Sequence, residues 1–377
     1  MMPTRLLLLA GEFPPFTGGI AHAAAQLATA LSQHGIAVTV IAPRYPDRDS
    51  AFNYRQPYRL IRLPLMRLRY LRMTPMIPII IAVAMKDCPD WVVAMRATRE
   101  GIPALVIKKA LGVPFITFAH ALEFLRFAPN SLAWRICRWI YDQADGIAAI
   151  SSSTKAALLQ RGLSPSKVQI VHLGVDTATN QLTSPDSDRA LDGISTLLTV
   201  GRLVPRKGVD KVIEALPFVL KRHPNVRYYV VGDGPDRQRL QQLAYQVGVA
   251  DHVVFTGRVP DVRPYLRSCN IFVMPTREER QGDIEGFGLV YLEAAIMGKP
   301  VIASPVGGAV DAVVNEKTGL FVNPLDPQEI ASAVCRLLDS PELARQMGEA
   351  GRQWVLREFT WEHTVKRLLA LMSEARA

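Results

Sequence analysis

The sequence predicts an α/β protein of two doubly wound, Rossmann-like domains, each a parallel sheet covered by helices on both faces. Three observations lead there. Short, nearly continuous Val/Ile/Leu/Ala runs recur along almost the whole chain, as strands buried on both faces require. Amphipathic stretches separate successive runs, and that alternation implies parallel sheets. The alternation stops once, at the polar, turn-rich segment 177–193, and then restarts. A chain of 377 residues, at roughly 150 per domain, fits two such units. We expect domains over 1–180 and 181–360, and a last amphipathic helix within 361–377 that could pack on either domain, the first being the one we name.

Taken in order, residues 5–10 form the first strand. The apolar run 6–10 is too short for a secretion leader and stops at Gly11-Glu12. Residues 20–34 carry a helical pattern that ends at Gly35, a natural C-cap. Further strands are expected at 37–42, 91–95, 114–120, 146–151 and 168–173. The second series runs 197–202, 226–231, 253–257, 271–275, 301–304 and 320–323. Two such domains would face each other across a cleft, with ligands at the carboxyl ends of the strands.

Charge separates the halves. Lys and Arg number 44 against 34 Asp and Glu, a net charge of +10. Residues 1–180 hold 20 basic and 10 acidic residues, so the whole excess lies there. A uniformly basic nucleic-acid coat has no such asymmetry. Cys88, Cys137, Cys269 and Cys335 form no CxxC pair, which suits a reducing compartment. The longest acid-free apolar stretch, 73–85, contains two prolines and falls short of the roughly 20 residues of a membrane span. The expected location is cytoplasmic.

Three glycine-bearing turns follow strand ends. GEFPPFTGGI (11–20) sets Gly18-Gly19 at a helix N-terminus, where backbone amides and the helix dipole favour a phosphate. An ordinary tight turn is the alternative. There is no GxGxxG, no acid after the second strand (Arg44 stands there) and no GxxxxGK[ST], which disfavours a dinucleotide dehydrogenase and a P-loop NTPase. GRLVPRKG (201–208) places Arg202, Arg206 and Lys207 at a strand end, a set suited to a diphosphate. In EGFGLVYLEA (285–294), Gly286 and Gly288 open a helix, Glu285 precedes it and Glu293 is expected about two turns inside. Eight residues of helix would set those carboxylates roughly 12 Å apart. That exceeds the roughly 5–9.5 Å of hydrolase carboxylate pairs. They are expected to grip two ends of one ligand, a sugar and a ribose.

Together these segments, with 146–154, 174–176, 232–235, 255–257 and 298–303, resemble the retaining GT-B glycosyltransferases of family 4 across almost the full chain. The resemblance implies a role for each residue. Gly19 offers its amide to the donor phosphate or the transferring sugar. Arg202 and Lys207 hold the diphosphate, with Arg206 ranked lower. Glu285 bonds sugar hydroxyls, while Gly286, Phe287, Gly288 and Leu289 present backbone amides. Glu293 bonds the ribose, and Val259 lies where the base is read by main chain. His120, in FAHALE (118–123), matches a histidine near the reacting sugar. Catalysis falls to His120, Arg202, Lys207 and Glu285. Ala121 stands where many relatives have Gly, and His172-Leu173 precedes Gly174 where relatives often show Asn. No protein nucleophile or DxD motif stands out, so front-face attack with retention and no obligatory metal or other cofactor are expected.

Between Asp49 and Asp87 lie no acids but Arg55, Arg59, Arg62, Arg67, Arg69, Arg72 and Lys86, among many apolar residues. Arg59, Arg62, Arg67, Arg69 and Arg72 are therefore expected to contact an anionic membrane surface or acceptor. The competing reading makes 58–63 an ordinary strand and 76–85 a buried helix. No RNA-binding motif is present, and nucleic acid is not an expected partner. Segment 282–288 most resembles phosphatidylinositol mannosyltransferases, which makes GDP-mannose the first expected donor and UDP-glucose the second. The expected enzyme glycosylates a lipid-linked or anionic acceptor as a peripheral protein. A soluble acceptor, or sugar-nucleotide epimerisation on the same architecture, is the alternative. A phosphorylase would need a pyridoxal phosphate lysine motif, and none is apparent.

Overall fold

A computed structural model describes residues 3–16, 18–45, 56–64, 73–177, 194–279 and 282–376. The chain divides into two compact units, Met1–Gly174 with Trp361–Ala377, and Val175–Thr360. The first unit thus ends ahead of segment 177–193, most of which lies outside the described residues.

The first unit is a seven-stranded parallel sheet. Its strands are β1 (Arg5–Leu9), β2 (Ala37–Pro43), β3 (Arg59–Leu63), β4 (Trp91–Ala94), β5 (Phe115–Ala119), β6 (Gly146–Ala149) and β7 (Val168–Ile170). They lie in the order β3-β2-β1-β4-β5-β6-β7. Side chains alternate between faces. Leu7, Leu9, Val92, Ala94, Phe115 and Ile147 join one core with helices α2 (Ile77–Asp87), α3 (Gly101–Leu111), α4 (Leu122–Leu125), α5 (Leu132–Gln143) and α6 (Ser152–Gln160). Helix α1 (Gly19–Gln33) packs with the last helix, α14 (Trp361–Glu374), which also contacts β6. His172 anchors α14, since its carbonyl accepts from the Thr364 hydroxyl at 2.9 Å and its Nδ1 meets Arg367 at 3.0 Å.

The second unit has six parallel strands: β8 (Ser195–Val200), β9 (Val226–Val231), β10 (Val253–Gly257), β11 (Ile271–Val273), β12 (Val301–Ala303) and β13 (Gly319–Phe321). Their order is β10-β9-β8-β11-β12-β13. Its helices are α7 (Val209–Leu220), α8 (Arg237–Gln246), α9 (Arg263–Ser268), α10 (Leu289–Ile296), α11 (Ala309–Ala312), α12 (Pro327–Asp339) and α13 (Pro341–Glu358).

Both sheets reverse direction of growth once, between β1 and β4 and between β8 and β11. Ligands of such sheets bind beyond the carboxyl ends of the strands at that reversal. The loops after β1, β4, β8 and β11 are therefore where a site belongs.

Residues 59–63 are a strand, within the 58–63 of the competing reading. β3 pairs with β2 at the sheet edge, and its half-exposed residues give it none of the continuous apolar character of its neighbours. Residues 76–85 fall largely within helix α2, but only Ile80 and Ala84 of that helix are buried.

Candidate active site

Gly201 and Arg202 follow β8, and Pro205–Lys207 form one 3-10 turn that ends at Gly208 in the left-handed region, φ 72°. Glycine is required there for a second reason, because a Cβ would stand 2.1 Å from the Pro275 carbonyl oxygen. The turn is tied to the end of β11, where the Arg277 amide donates to the Arg206 carbonyl at 2.9 Å. Arg277 also forks onto Asp210 with two bonds of 2.8 Å.

This places two cations against the loop that precedes α10. Lys207 Nζ lies 2.6 Å from Glu285 Oε2, and Arg206 lies 2.9 Å from Asp283. Lys207 is buried, at 8% exposure. Burial acts to raise the Glu285 carboxyl, but the Lys207 ammonium, with Arg206 behind it, holds it below the usual range. Glu285 is thus an anion at neutral pH. Burial pushes Glu293 up to about 6, with Lys207 opposing the shift. One lysine therefore acts electrostatically on both carboxylates. Arg202 is exposed and has no ion pair among the described residues.

Helix α10 begins at Leu289, with Gly288 as its N-cap at φ 77°. Glu293 is therefore its fifth residue, little more than one turn inside. The 12 Å helical rise between the two carboxylates does not apply, because 285–288 are loop rather than helix. No side chain caps the helix, and among the described residues no bond engages the amides of Gly286, Gly288 or Leu289. Amides so placed at a helix N-terminus favour an anion. The Phe287 ring is buried against Phe359, at a centroid distance of 5.8 Å. Val259 is half-buried, just past β10.

The sequence reading missed what supports this loop. The Gly308 amide donates to the Glu285 carbonyl at 2.9 Å. A Cβ on Gly308 would stand 2.3 Å from Phe287 Cα. The detectable signal was a glycine pair soon after a buried strand. Asp283, the partner of Arg206, was equally unassigned.

In the first unit, Gly18 and Gly19 are exposed at the start of α1, which has no side-chain cap and no acid in its first turn. Behind them lies an ion network that sequence did not reveal. Arg96, two residues past β4, reaches Glu12 at 3.0 Å and Glu100 at 3.3 Å, and Arg99 reaches Glu12 at 2.8 Å. Burial would raise Glu12, but Arg96 and Arg99 hold it ionised. His120, after β5, is buried with Nε2 at 2.9 Å from the Met95 carbonyl. Its amide donates to Glu123 at 2.6 Å. Burial, helped by the Arg96 charge, pushes the imidazole down to about 3, so it is neutral throughout the physiological range. Ala121 sits at φ 72°, a conformation suited to the glycine of the resemblance.

The five arginines expected to meet a membrane divide. Arg59 pairs with Asp87 at 2.6 Å. Arg62 donates to the carbonyls of Pro43 and Pro14 at 3.0 and 2.5 Å and lies over the Phe13 ring. Arg67, Arg69 and Arg72 lie outside the described residues.

Residues 17–179 match the family model described as Glycosyltransferase Family 4, and residues 186–354 match Glycosyl transferases group 1. A GDP-mannose-dependent alpha-(1-6)-phosphatidylinositol monomannoside mannosyltransferase of Mycobacterium tuberculosis is 31% identical over 386 residues, 97% of either chain. The chain belongs to glycosyltransferase family 4. Its fold is GT-B, shared with sucrose-phosphate synthase of Thermosynechococcus elongatus at a TM-score of 0.82, 24% identity and 98% of both chains. Anabaena HepE, solved with UDP, superposes at a TM-score of 0.81 with 19% identity, over 98% of this chain and 99% of that one. This glycosyltransferase is a hexosyltransferase that moves sugar from a nucleotide-sugar donor.

Proposed function

We propose that this enzyme transfers mannose from GDP-mannose, with retention, to a hydroxyl of a lipid-linked acceptor at the cytoplasmic face of a membrane. The observation that carries the reading is the Lys207–Glu285 pair at the reversal of the second sheet, in a chain similar to a GDP-mannose-dependent mannosyltransferase along nearly its full length. Lys207 and exposed Arg202 hold the diphosphate, aided by the free amides before α10. Glu293 takes the ribose diol and Glu285 the sugar hydroxyls. Cationic groups placed where charge develops on the departing diphosphate supply the main catalytic effect.

The bond from the anomeric carbon to the phosphate oxygen breaks while the acceptor oxygen bonds that carbon on the same face. The acceptor proton passes to a leaving-phosphate oxygen. His120, neutral and held through Nε2, positions the reacting sugar and does not carry a charge. No step uses a protein nucleophile.

The test is thermal stabilisation by GDP-mannose, UDP-glucose and ADP-glucose, since a ligand of the native state raises its melting temperature. GDP-mannose should give the largest shift, and Glu293→Ala should remove it. GDP should be released only when an acceptor is present. An equal response to UDP-glucose, or full-rate release without acceptor, overturns the reading.

A further inference from the structure

We propose that the outer face of helices α2 and α5 is a docking surface for a bilayer containing anionic phospholipid. The proposal deepens the lipid-acceptor reading and takes its purpose, though not its geometry, from that reading. Helix α5 carries apolar residues on two sides. Trp134, Cys137, Ile140 and Tyr141 enter the core. Leu132, Ile136 and Trp139, spaced four and three residues apart, form an outward stripe with exposures of 70%, 44% and 52%. Helix α2 adds Ile79 and Met85, at 47% and 62%. The two helices belong to one layer, because Ile80 and Ala84 share a core with Trp134 and Ile140, and α3 packs against both. Half of the large exposed apolar residues among those described thus sit on two helices of one layer, although such residues are ordinarily scattered.

Charge identifies the occupant. Arg135 and Arg138 flank the α5 stripe, and Lys86 on α2 and Lys109 on α3 are exposed. Two acids stand near. Asp142 faces Arg138 at 3.7 Å, and Asp87 is taken by Arg59 and the Thr39 hydroxyl. A Leu/Ile/Trp stripe bordered by arginines is the composition of a helix that lies in a membrane interface. Beside it an open depression of about 340 Å³ is lined by Arg138, Arg161, Trp134, Leu125, Pro129 and Asn130. Arg161 is held there over the Trp134 ring at 4.8 Å, with bonds to the Leu125 and Phe127 carbonyls. The depression suits the phosphodiester of a headgroup. A second copy of the chain is a poorer occupant, because a two-fold contact would set the same arginines against each other.

The full chain should float with vesicles of phosphatidylcholine and phosphatidylglycerol, and much less with phosphatidylcholine alone. Trp139 is the most exposed of the five tryptophans, so brominated acyl chains should quench it and its quenching should vanish in Trp139→Phe. Leu132→Ser with Ile136→Ser and Trp139→Ser should lower vesicle binding at least tenfold and leave the donor-induced thermal shift intact, which shows that the variant folds. Arg135→Glu with Arg138→Glu should remove the preference for anionic lipid. Wild-type protein that does not float, a triple variant that floats unchanged, or a dimer that this variant converts to monomer would overturn the proposal. Mannosyl transfer to a lipid acceptor in detergent micelles separates the two readings. Transfer without flotation removes the docking face and keeps the function. Flotation lost in the triple variant, with no transfer to any acceptor, keeps the docking face and removes the function.

Discussion

The loops after β1 and β4 and the loops after β8 and β11 occupy equivalent places in their sheets yet handle charge differently. In the first unit Arg96, with a side-chain exposure of 7%, is shared between Glu12 and fully buried Glu100. Its charges are consumed among themselves, and the neighbouring His120 is kept neutral. In the second unit Arg202 is exposed, while Lys207 and Arg206 lean on carboxylates in one short loop. In the proposed function those bonds are exchanged, Lys207 turning to the diphosphate and Glu285 to a sugar hydroxyl. On the proposed function, the first set is a frame and the second a binding device. The same ion-pair chemistry serves both, and they differ in the number of partners each cation holds, two carboxylates for Arg96 and one for Lys207.

The largest effect that tests this contrast is on catalysis. Lys207→Ala should lower kcat on the order of 10²–10³-fold, as removal of a group that stabilises developing charge does. Arg206→Ala, whose partner Asp283 is not assigned to the ligand, should cost about tenfold or less. Steady-state kinetics on both variants decides the matter. Equal losses would mean that the loop needs both pairs merely to hold its shape.

Next in size is stability. Arg96→Met would leave buried Glu100 without its counter-charge and Glu12 with Arg99 alone, a change that costs about 3–5 kcal/mol. Arg96→Lys should recover part of it. Urea denaturation measures this. A loss under about 1 kcal/mol, within the range typical of surface pairs, would show that the network is not a frame.

The third effect is on pH dependence. Glu293, raised to about 6, holds its proton more tightly in the folded protein than in the unfolded chain. Its contribution to stability is therefore fully present below the ordinary glutamate pKa and is lost as pH rises through about 6. Donor affinity should move the opposite way. The ribose diol needs the carboxylate, so donor KM should rise roughly tenfold for each pH unit below 6 and level off above it. Glu293→Gln should flatten the profile. A wild-type profile that is flat across pH 5–7 would detach Glu293 from the ribose.

These contrasts also explain what could be read from the amino acids alone. Strands such as β4 (WVVA) and β8 (STLLTV) announce themselves as apolar runs because both faces are covered. β3 (RLIRL) is an edge strand with arginines at its exposed positions, and the same letters suit an interfacial surface as well. In the second unit, GRLVPRKG lies in one loop and EGFGLVYLE spans one loop and the first five residues of α10, so short-range pattern was enough to choose Lys207, Glu285 and Glu293. That Lys207 and Glu285 bond each other was not legible, because 78 residues separate them and only the β8–β11 adjacency brings them together. The Glu12–Arg96–Glu100 network is long-range as well, with Gly11 and Glu100 joined across 89 residues. Its local trace is the i,i+4 spacing of Arg96 and Glu100 just past a buried strand.

The smallest expected effect concerns the one place where the first unit's frame carries backbone strain beside a site residue. Ala121 holds φ 72° and ψ −66°, which a side chain with a Cβ adopts at a cost of about 1–3 kcal/mol. The neighbours explain why it is held. The His120 amide is bonded to Glu123, and the amides of Phe124 and Leu125 both donate to the Ala121 carbonyl at 3.1 and 3.0 Å. Ala121→Gly relieves the strain but gives the unfolded chain more freedom, a cost of about 0.5–1 kcal/mol. The net change should be a gain of about 0.5–2 kcal/mol, visible as a higher urea midpoint. A midpoint that stays put or falls would mean that the bonds around His120 do not constrain the turn, and the loop would then belong with the exchangeable contacts of the second unit rather than with the frame of the first.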